Sequence, residues 1–208
     1  MIINENEKLA QTGFFWREKN GVKVLVCKEL EEGGFQNGFS TRLGGVSPFP
    51  LNDLNLAGFE EDSNENIFEN RKRFLSVFET GSLLTSVWQV HGDGIKAVKN
   101  AEDVLSTTDK FDAMISMLPG VLIGVKTADC VPVLIGDPET KAFAAVHAGW
   151  RGTVESITQK AIDRMIGEYG TDPQNLICAI GPAAGCENYE IGQDVIDAFR
   201  GKFPGALK

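Results

Sequence analysis

The chain has 208 residues, of which 42% are hydrophobic and 24% charged, the make-up of a soluble globular chain with one large domain or two small ones. A net charge of −9 and a pI near 4.8 argue against nucleic-acid or anionic-membrane binding through a basic surface, and leave room only for a local basic pocket that takes an anion such as phosphate. No apolar run reaches the about 20 residues of a membrane span, residues 1–15 lack the basic start and apolar centre of a signal peptide, and the cysteines at 27, 130, 178 and 186 form no C-x-x-C pair. These features point to a cytoplasmic protein with reduced thiols.

The first twenty residues are polar except for Phe14, Phe15 and Trp16, which read as an edge segment covering the core. Val22 to Val26 is rich in β-branched residues and predicts a strand, so Cys27 reads as a small buried hydrophobe. Gly33-Gly34 marks a turn, and Phe35 to Ser40 is extended before the loop Thr41-Arg42-Leu43-Gly44-Gly45. Arg42 stands there among small, flexible residues. It reads either as a solvated loop charge or as an anion ligand, because a guanidinium offers a rigid fork that matches phosphate or carboxylate.

Pro48 to Gly58 predicts irregular chain. Asp62-x-x-Glu65 then predicts a capping box that opens a helix to about Phe78. Ile67, Phe68, Phe74, Leu75 and Phe78 would share its inner face, and Arg71, Lys72 and Arg73 a solvated one. Leu83 to Val90 predicts a strand that ends at His91, Ile95 to Val98 a short strand, Asn100 to Lys110 an exposed polar connection, and Asp112 to Ser116 another strand. An apolar run from Val121 to Lys126 delivers Asp129 and Cys130 to its end before Val131 to Ile135 resumes the extended pattern.

Farther on, Ala142 to Val146 predicts a buried strand that delivers His147 to the glycines which break it. A helix from about Thr153 to Tyr169 carries Val154, Ile157, Ala161, Met165 and Ile166 on one side, and Gly167, Gly170 and Pro173 end it. With a strand over 176–180 this makes a βαβ unit, whose strands should be parallel with a right-handed crossover. Gly181-Pro182 stops that strand, Cys186 lies in the next loop, and Gln193 to Arg200 begins a last helix, while Cys178 reads as a buried strand thiol.

His91, Cys130 and His147 therefore sit at three predicted strand ends, where loops diverge and ligands bind in α/β sheets. Two neutral imidazoles and a thiolate suit zinc, and three protein ligands leave the fourth tetrahedral position open, as in a catalytic site. Copper fits less well: a multicopper oxidase needs a blue site plus a largely imidazole-ligated cluster, and the chain has two histidines. A metal-free cysteine nucleophile remains open, because Cys130 and His147 could form a thiolate and base pair. His91 discriminates, since the dyad has no use for it. At the start of the 153–169 helix, Gly149, Arg151 and Gly152 either form an anion-friendly terminus or simply let the strand turn sharply.

STRLGGVS (40–47), LNLAGF (54–59), WQVHGD (88–93), TADCVPVLIGDP (127–138), AAVHAGWRGT (144–153) and IGPAAGCENYE (180–190) resemble the YfiH or laccase-domain family, in family order. Its members have been called multicopper polyphenol oxidases and are now regarded as zinc purine nucleoside phosphorylases. The resemblance implies an α+β fold, an α/β/β/α sandwich of mixed sheets flanked by helices and similar to the cytotoxic necrotizing factor catalytic domain. It implies His91, Cys130 and His147 as zinc ligands, and phosphorolysis of adenosine, inosine, guanosine and methylthioadenosine, with adenosine deamination at the same site. Arg42, Arg151 and Gly152 become candidates for phosphate, and Asp129 for proton transfer in deamination. Some relatives resemble peptidoglycan-precursor editing amidases; that cysteine-hydrolase reading, and a non-catalytic metal-binding module, are the alternatives. The glycine-proline loop departs from the usual pair of adjacent cysteines, with Cys186 alone near Tyr189. The family also continues with a further strand and a tyrosine-arginine motif, so residues 1–208 are expected to form a single domain that lacks the family's C-terminal segment.

Overall fold

The computed structural model describes residues 5–48, 53–57, 62–78 and 81–205. It divides into two compact units, residues 1–84 with 120–122 and residues 85–119 with 123–208. Its strands are β1 (Phe14–Lys19), β2 (Val22–Cys27), β3 (Phe39–Ser40), β4 (Leu83–Thr85), β5 (Ile95–Val98), β6 (Ala113–Ser116), β7 (Val121–Ile123), β8 (Val131–Gly136), β9 (Phe143–Ala148) and β10 (Ile177–Ile180). Its helices are α1 (Glu5–Gln11), α2 (Lys28–Glu32), α3 (Asn64–Leu75), α4 (Ala101–Leu105), α5 (Trp150–Val154), α6 (Ile157–Tyr169) and α7 (Gln193–Lys202). The mixture of sheets and helices is that of an α+β fold, and no helix among the described residues is long and apolar enough to cross a membrane. The LNLAGF stretch and the irregular run predicted from Pro48 lie partly outside the described residues.

In the first unit, β1, β2 and β3 form an antiparallel sheet in that order. Asn20-Gly21 joins β1 to β2 with both residues at positive φ, 54° and 79°, which is the twist a two-residue hairpin loop requires. Val22, Val24 and Val26 alternate onto one face and pack with Leu54, Val77 and Phe78, while Phe15 of the edge strand β1 closes over them. Cys27 is buried, as its strand position predicts.

Helix α3 differs from its prediction at three points. Its cap is Ser63, whose hydroxyl accepts from Asn66 N; Asp62 instead takes bonds from Ser47, Ser63 N and the Asn66 amide. Phe68 is 68% exposed, because the inward position is filled by Asn70, which is fully buried. Asn70 accepts from Val46 N at 2.8 Å and donates to Ser47 Oγ and to the Asn55 carbonyl. Of the cluster expected to be solvated, Arg71 donates to the Leu56 carbonyl and Arg73 to that of Gly44, so both guanidiniums hold loop backbone.

In the second unit the sheet order is β10-β8-β9-β6-β5, antiparallel throughout except between β5 and β6. One face, with Ala113, Ile115, Val133, Ile135, Ala144 and Val146, is buried against Ile157, Ala161 and Met165 of α6. The expected βαβ unit is a split one. β9 and β10 run the same way, but β8 lies between them, because a tight turn closed by the Asp137 N to Ala142 O and Lys141 N to Asp137 O bonds folds β8 directly onto β9. The single helix predicted from Thr153 is two helices. The chain turns helical at Trp150 and breaks at Ser156, which has φ of 61°, so Val154 and Ile157 belong to different helices. Gly170, at φ of 70°, ends α6, and Gly167 lies inside it.

The strands predicted over Leu83–Val90 and Val121–Lys126 shorten to β4 and β7, which pair in a two-stranded sheet. The connection predicted over Asn100–Lys110 contains α4, capped by the Asn100 side chain. Cys178 is exposed rather than buried: β10 is an edge strand, and Cys178 and Ile180 project from it on the same side. Replacing Asn70 by Ala should cost about 2 to 4 kcal/mol, since it strips buried loop groups of their partners. A urea-denaturation midpoint unchanged from wild type would show that this amide does not hold the 46–55 loop.

Candidate metal centre

His147 owes its position to the two-residue period of β9. Val146 faces the α6 core, so His147 faces the opposite side of the sheet, where it is buried to 3% exposure. The antiparallel pairing of Ala113 with Val146 continues one step, with His147 N donating to the Asp112 carbonyl at 2.8 Å. Directly opposed residues share a face, so the Asp112 side chain meets the His147 ring, with Oδ1 2.8 Å from Nδ1.

Cys130 lies at the start of β8, not at the end of the preceding apolar run, which stops being a strand at Ile123. It still reaches the centre, because β8 is antiparallel to β9: Val131 pairs with Ala148, so the beginning of β8 lies beside the end of β9. His91 follows no continuous strand either. It sits in a turn at φ of 57°, and the amides of Val90, His91 and Gly92 all donate to the Asp112 carboxylate, at 3.2, 2.9 and 2.7 Å. Gln89 ties this loop to the one carrying Cys130, donating to the Lys126 carbonyl at 2.6 Å and accepting from Lys126 N at 2.7 Å.

Together these constraints bring one ligand atom from each of His91, Cys130 and His147 to within 4.8 Å of one another. The two imidazoles meet edge to face, with ring centroids 4.9 Å apart. His147 is buried, Cys130 half-buried and His91 exposed, so the group opens on the His91 side. Ligands of one tetrahedral zinc ion would stand about 3.3 to 3.8 Å apart given metal–ligand distances of about 2.0 to 2.3 Å, so a separation within 4.8 Å is near what a single ion would require. Gly149 keeps that space clear: a Cβ there would come 3.1 Å from His91 Cδ2, 3.5 Å from Cys130 Sγ and 3.5 Å from His147 Cε1. Burial pushes the Cys130 thiol up, and the charges of Asp129 and Asp112 push it the same way. A bound cation reverses that balance.

A cleft of about 370 Å³ adjoins the group and is lined by His91, Asp93, Trp150, Arg151 and Glu155, among others. Arg151 lies over the Trp150 ring at 4.2 Å, and a direct hydrogen-bonded ion pair with Lys160 lowers the Asp93 carboxyl from its usual value. Gly152 is buried, and a Cβ there would come 2.7 Å from the Gly92 carbonyl, so its smallness lets α5 pack against the His91 turn. Arg42 belongs to the other unit; mostly exposed, it donates through Nε to Asp53 at 3.0 Å. Asp129 is exposed, and its backbone carbonyl accepts from Ala184 N. Cys186 and Tyr189 are exposed in the loop after β10.

The sequence reading did not single out Asp112 or Gln89. An acidic residue at the head of the apolar run Ala113–Ser116 was the available sign for Asp112, since strand starts that stay polar and buried require partners. Replacing Gly149 by Ala should weaken binding of a divalent metal, with zinc as the probe, about tenfold by pressing a methyl on the His91 ring, while the melting temperature of the metal-free chain stays within about 3 °C. Unchanged zinc affinity in chelator competition would show that the ligands do not close over Gly149.

A family model described as multi-copper polyphenol oxidoreductase laccase matches residues 36–207. The chain is 37% identical over 166 residues to a purine nucleoside phosphorylase of Deinococcus radiodurans, covering 78% of this chain and 62% of that one. It is 37% identical over 186 residues to the purine nucleoside phosphorylase YfiH of Escherichia coli K12, covering 85% and 70%. The chain thus spans about 62% of the length of the Deinococcus relative. Among solved structures it resembles YlmD from Geobacillus stearothermophilus, with a TM-score of 0.81 and 28% identity over 92% of this chain and 73% of that one. It resembles YfiH from Bacillus licheniformis with a TM-score of 0.80 and 29% identity over 89% and 71%. The chain belongs to the YfiH, or laccase-domain, family.

Proposed function

We propose that this chain is a zinc-dependent purine nucleoside phosphorylase, acting in the cytoplasm on adenosine, inosine, guanosine and methylthioadenosine. The observation that carries the reading is the convergence of His91, Cys130 and His147 to within 4.8 Å, beside an open cleft, in a chain that resembles proteins named for that activity. His91, Cys130 and His147 would hold the ion. Bound there, zinc supplies positive charge and an open coordination position, which copper would supply less suitably from a set of two imidazoles and one thiolate.

In phosphorolysis a phosphate oxygen bonds to the ribose anomeric carbon, the glycosidic bond breaks, and its electron pair leaves with the purine. The products are ribose 1-phosphate and the free base. The protein's tasks are to hold an anion, orient the sugar and keep the reactants together. Arg151 presents a guanidinium in the cleft, and Asp93 and Glu155 present carboxylates that can accept from sugar hydroxyls. Arg42, exposed and paired through Nε with Asp53, is our second candidate anion ligand. Gly152, whose smallness lets α5 pack against the His91 turn, is our candidate backbone contact for phosphate beside Arg151. Adenosine deamination at the same centre would use Asp129, the carboxylate next to Cys130 in sequence, to move protons.

A second reading has one observation in its favour. Asp112, His147 and Cys130 form a carboxylate, imidazole and thiol series like that of a cysteine hydrolase, including a peptidoglycan-precursor amidase. Two features weigh against it: the dyad leaves His91 without a task, and burial and the neighbouring carboxylates push the Cys130 thiol up, where a nucleophile is helped by a shift down. A non-catalytic metal-binding module is the third reading, and an adjoining cleft disfavours it.

Elemental analysis of freshly purified protein should find about one zinc per chain, and phosphate-dependent release of hypoxanthine from inosine should disappear on chelation and return with zinc. Hydrolysis that persists without metal and depends on Cys130 would establish the second reading instead. Arg42→Lys keeps the charge and loses the bidentate geometry, so phosphorolysis should fall about 10- to 100-fold, through weaker use of phosphate, while deamination changes less than about threefold. Equal loss of both activities would assign Arg42 to nucleoside binding or to the fold.

A further inference from the structure

We infer that Asp112 is the positioning residue of this centre, fixing the ring tautomer of His147 and the left-handed backbone of His91 through one buried carboxylate. The inference deepens the metal-centre reading, but part of its test stands without any metal. Asp112 is fully buried, and the structure accounts for both of its oxygens. Oδ1 lies 2.8 Å from His147 Nδ1 and 2.9 Å from His91 N. Oδ2 lies 2.7 Å from Gly92 N and 3.2 Å from Val90 N. Three of these four partners are backbone amides, which can only donate, and their convergence suits a carboxylate that only accepts.

The fourth partner must then donate as well, so Nδ1 of His147 carries the hydrogen. Nε2, on the far side of the ring, keeps its lone pair for a metal. The same carboxylate sits in a cup of three successive amides around His91, whose φ of 57° is one that side-chain-bearing residues seldom adopt. Two ligands that are far apart in sequence are therefore aimed by a single group. The third, Cys130, is not, since it is placed by the β8–β9 register.

Long-range proton–nitrogen spectra of the chelator-treated wild-type chain should show His147 as the Nδ1–H tautomer, and the Nε2–H tautomer would overturn the inference. Asp112→Asn keeps the shape of the side chain but offers His147 an amide that can donate. Its affinity for zinc, measured by chelator competition, should fall about 10- to 100-fold. The visible bands of the cobalt-substituted protein should shift, as a merely structural loss would not require. Wild-type affinity together with a wild-type cobalt spectrum would reduce Asp112 to a structural clamp. Should the variant fail to fold, the wild-type tautomer decides alone. Loss of the phosphorylase reading would leave all of these readouts in place, so the two conclusions fail separately.

Discussion

The cross-strand pairing of His147 with Asp112 depends on the register of β6 against β9, and the hydrophobic core sets that register. Ala113, Ile115, Ala144 and Val146 must all face α6. With a side-chain period of two, that requirement sends Asp112 and His147 to the opposite face together. A slip of one residue would carry the imidazole into the apolar layer and bring the alternate residues out of it. The pairing of Asp112 with His147 is thus a consequence of packing among apolar residues that face the other side of the sheet.

Strand direction supplies the second constraint. If β8 ran parallel to β9, its beginning would lie at the far end of the sheet from His147, and Cys130 would be remote. The Asp137–Ala142 turn makes the pair antiparallel and brings the start of one strand to the end of the other. Gly149 then lies beside all three candidate ligands, and a Cβ there would press on the His91 ring at 3.1 Å and touch Cys130 Sγ and His147 Cε1 at 3.5 Å. His91 adds local strain: a non-glycine residue held at positive φ costs about 1 to 3 kcal/mol, and here the amides of its own turn converge on Asp112 to offset it.

The three candidate ligands were legible because histidine is scarce in this chain and each ligand stands next to glycine or at a break in an apolar run. Their surroundings were less so. Apolar periodicity showed that β6 and β9 exist but not that they are neighbours, so nothing in one dimension paired Asp112 with His147. The same limit hid the insertion of β8 into the βαβ unit. It hid the exposure of Cys178 too, since an apolar strand reads alike whether it is central or at an edge. Phe68 misled by hydrophobicity: the inner face of α3 was given instead to Asn70, whose four-sided amide satisfies a loop that no apolar side chain could. The continuous stripe from Val154 to Met165 concealed the break at Ser156, because the residues on either side of the break are apolar in phase. The hairpin loop Asn20-Gly21 carried an explicit sign that composition-level reading passed over.

The centre's electrostatics bear on which of its two chemistries the fold favours. A thiol that must act as a bare nucleophile is best placed near cations or a helix N-terminus, where its thiolate is stabilised. Cys130 lies beside Gly149 at the start of the short helix α5, yet its partial burial and the charges of Asp129 and Asp112 push its thiol up. An imidazole pair and a thiol set among carboxylates form a pocket that gains from a divalent cation, which neutralises the carboxylates and holds the thiolate in the same step. His91 completes the case. It sits strained, exposed and directed by the same aspartate that directs His147, a placement that has no use in a two-residue dyad and an immediate one in a three-ligand metal centre.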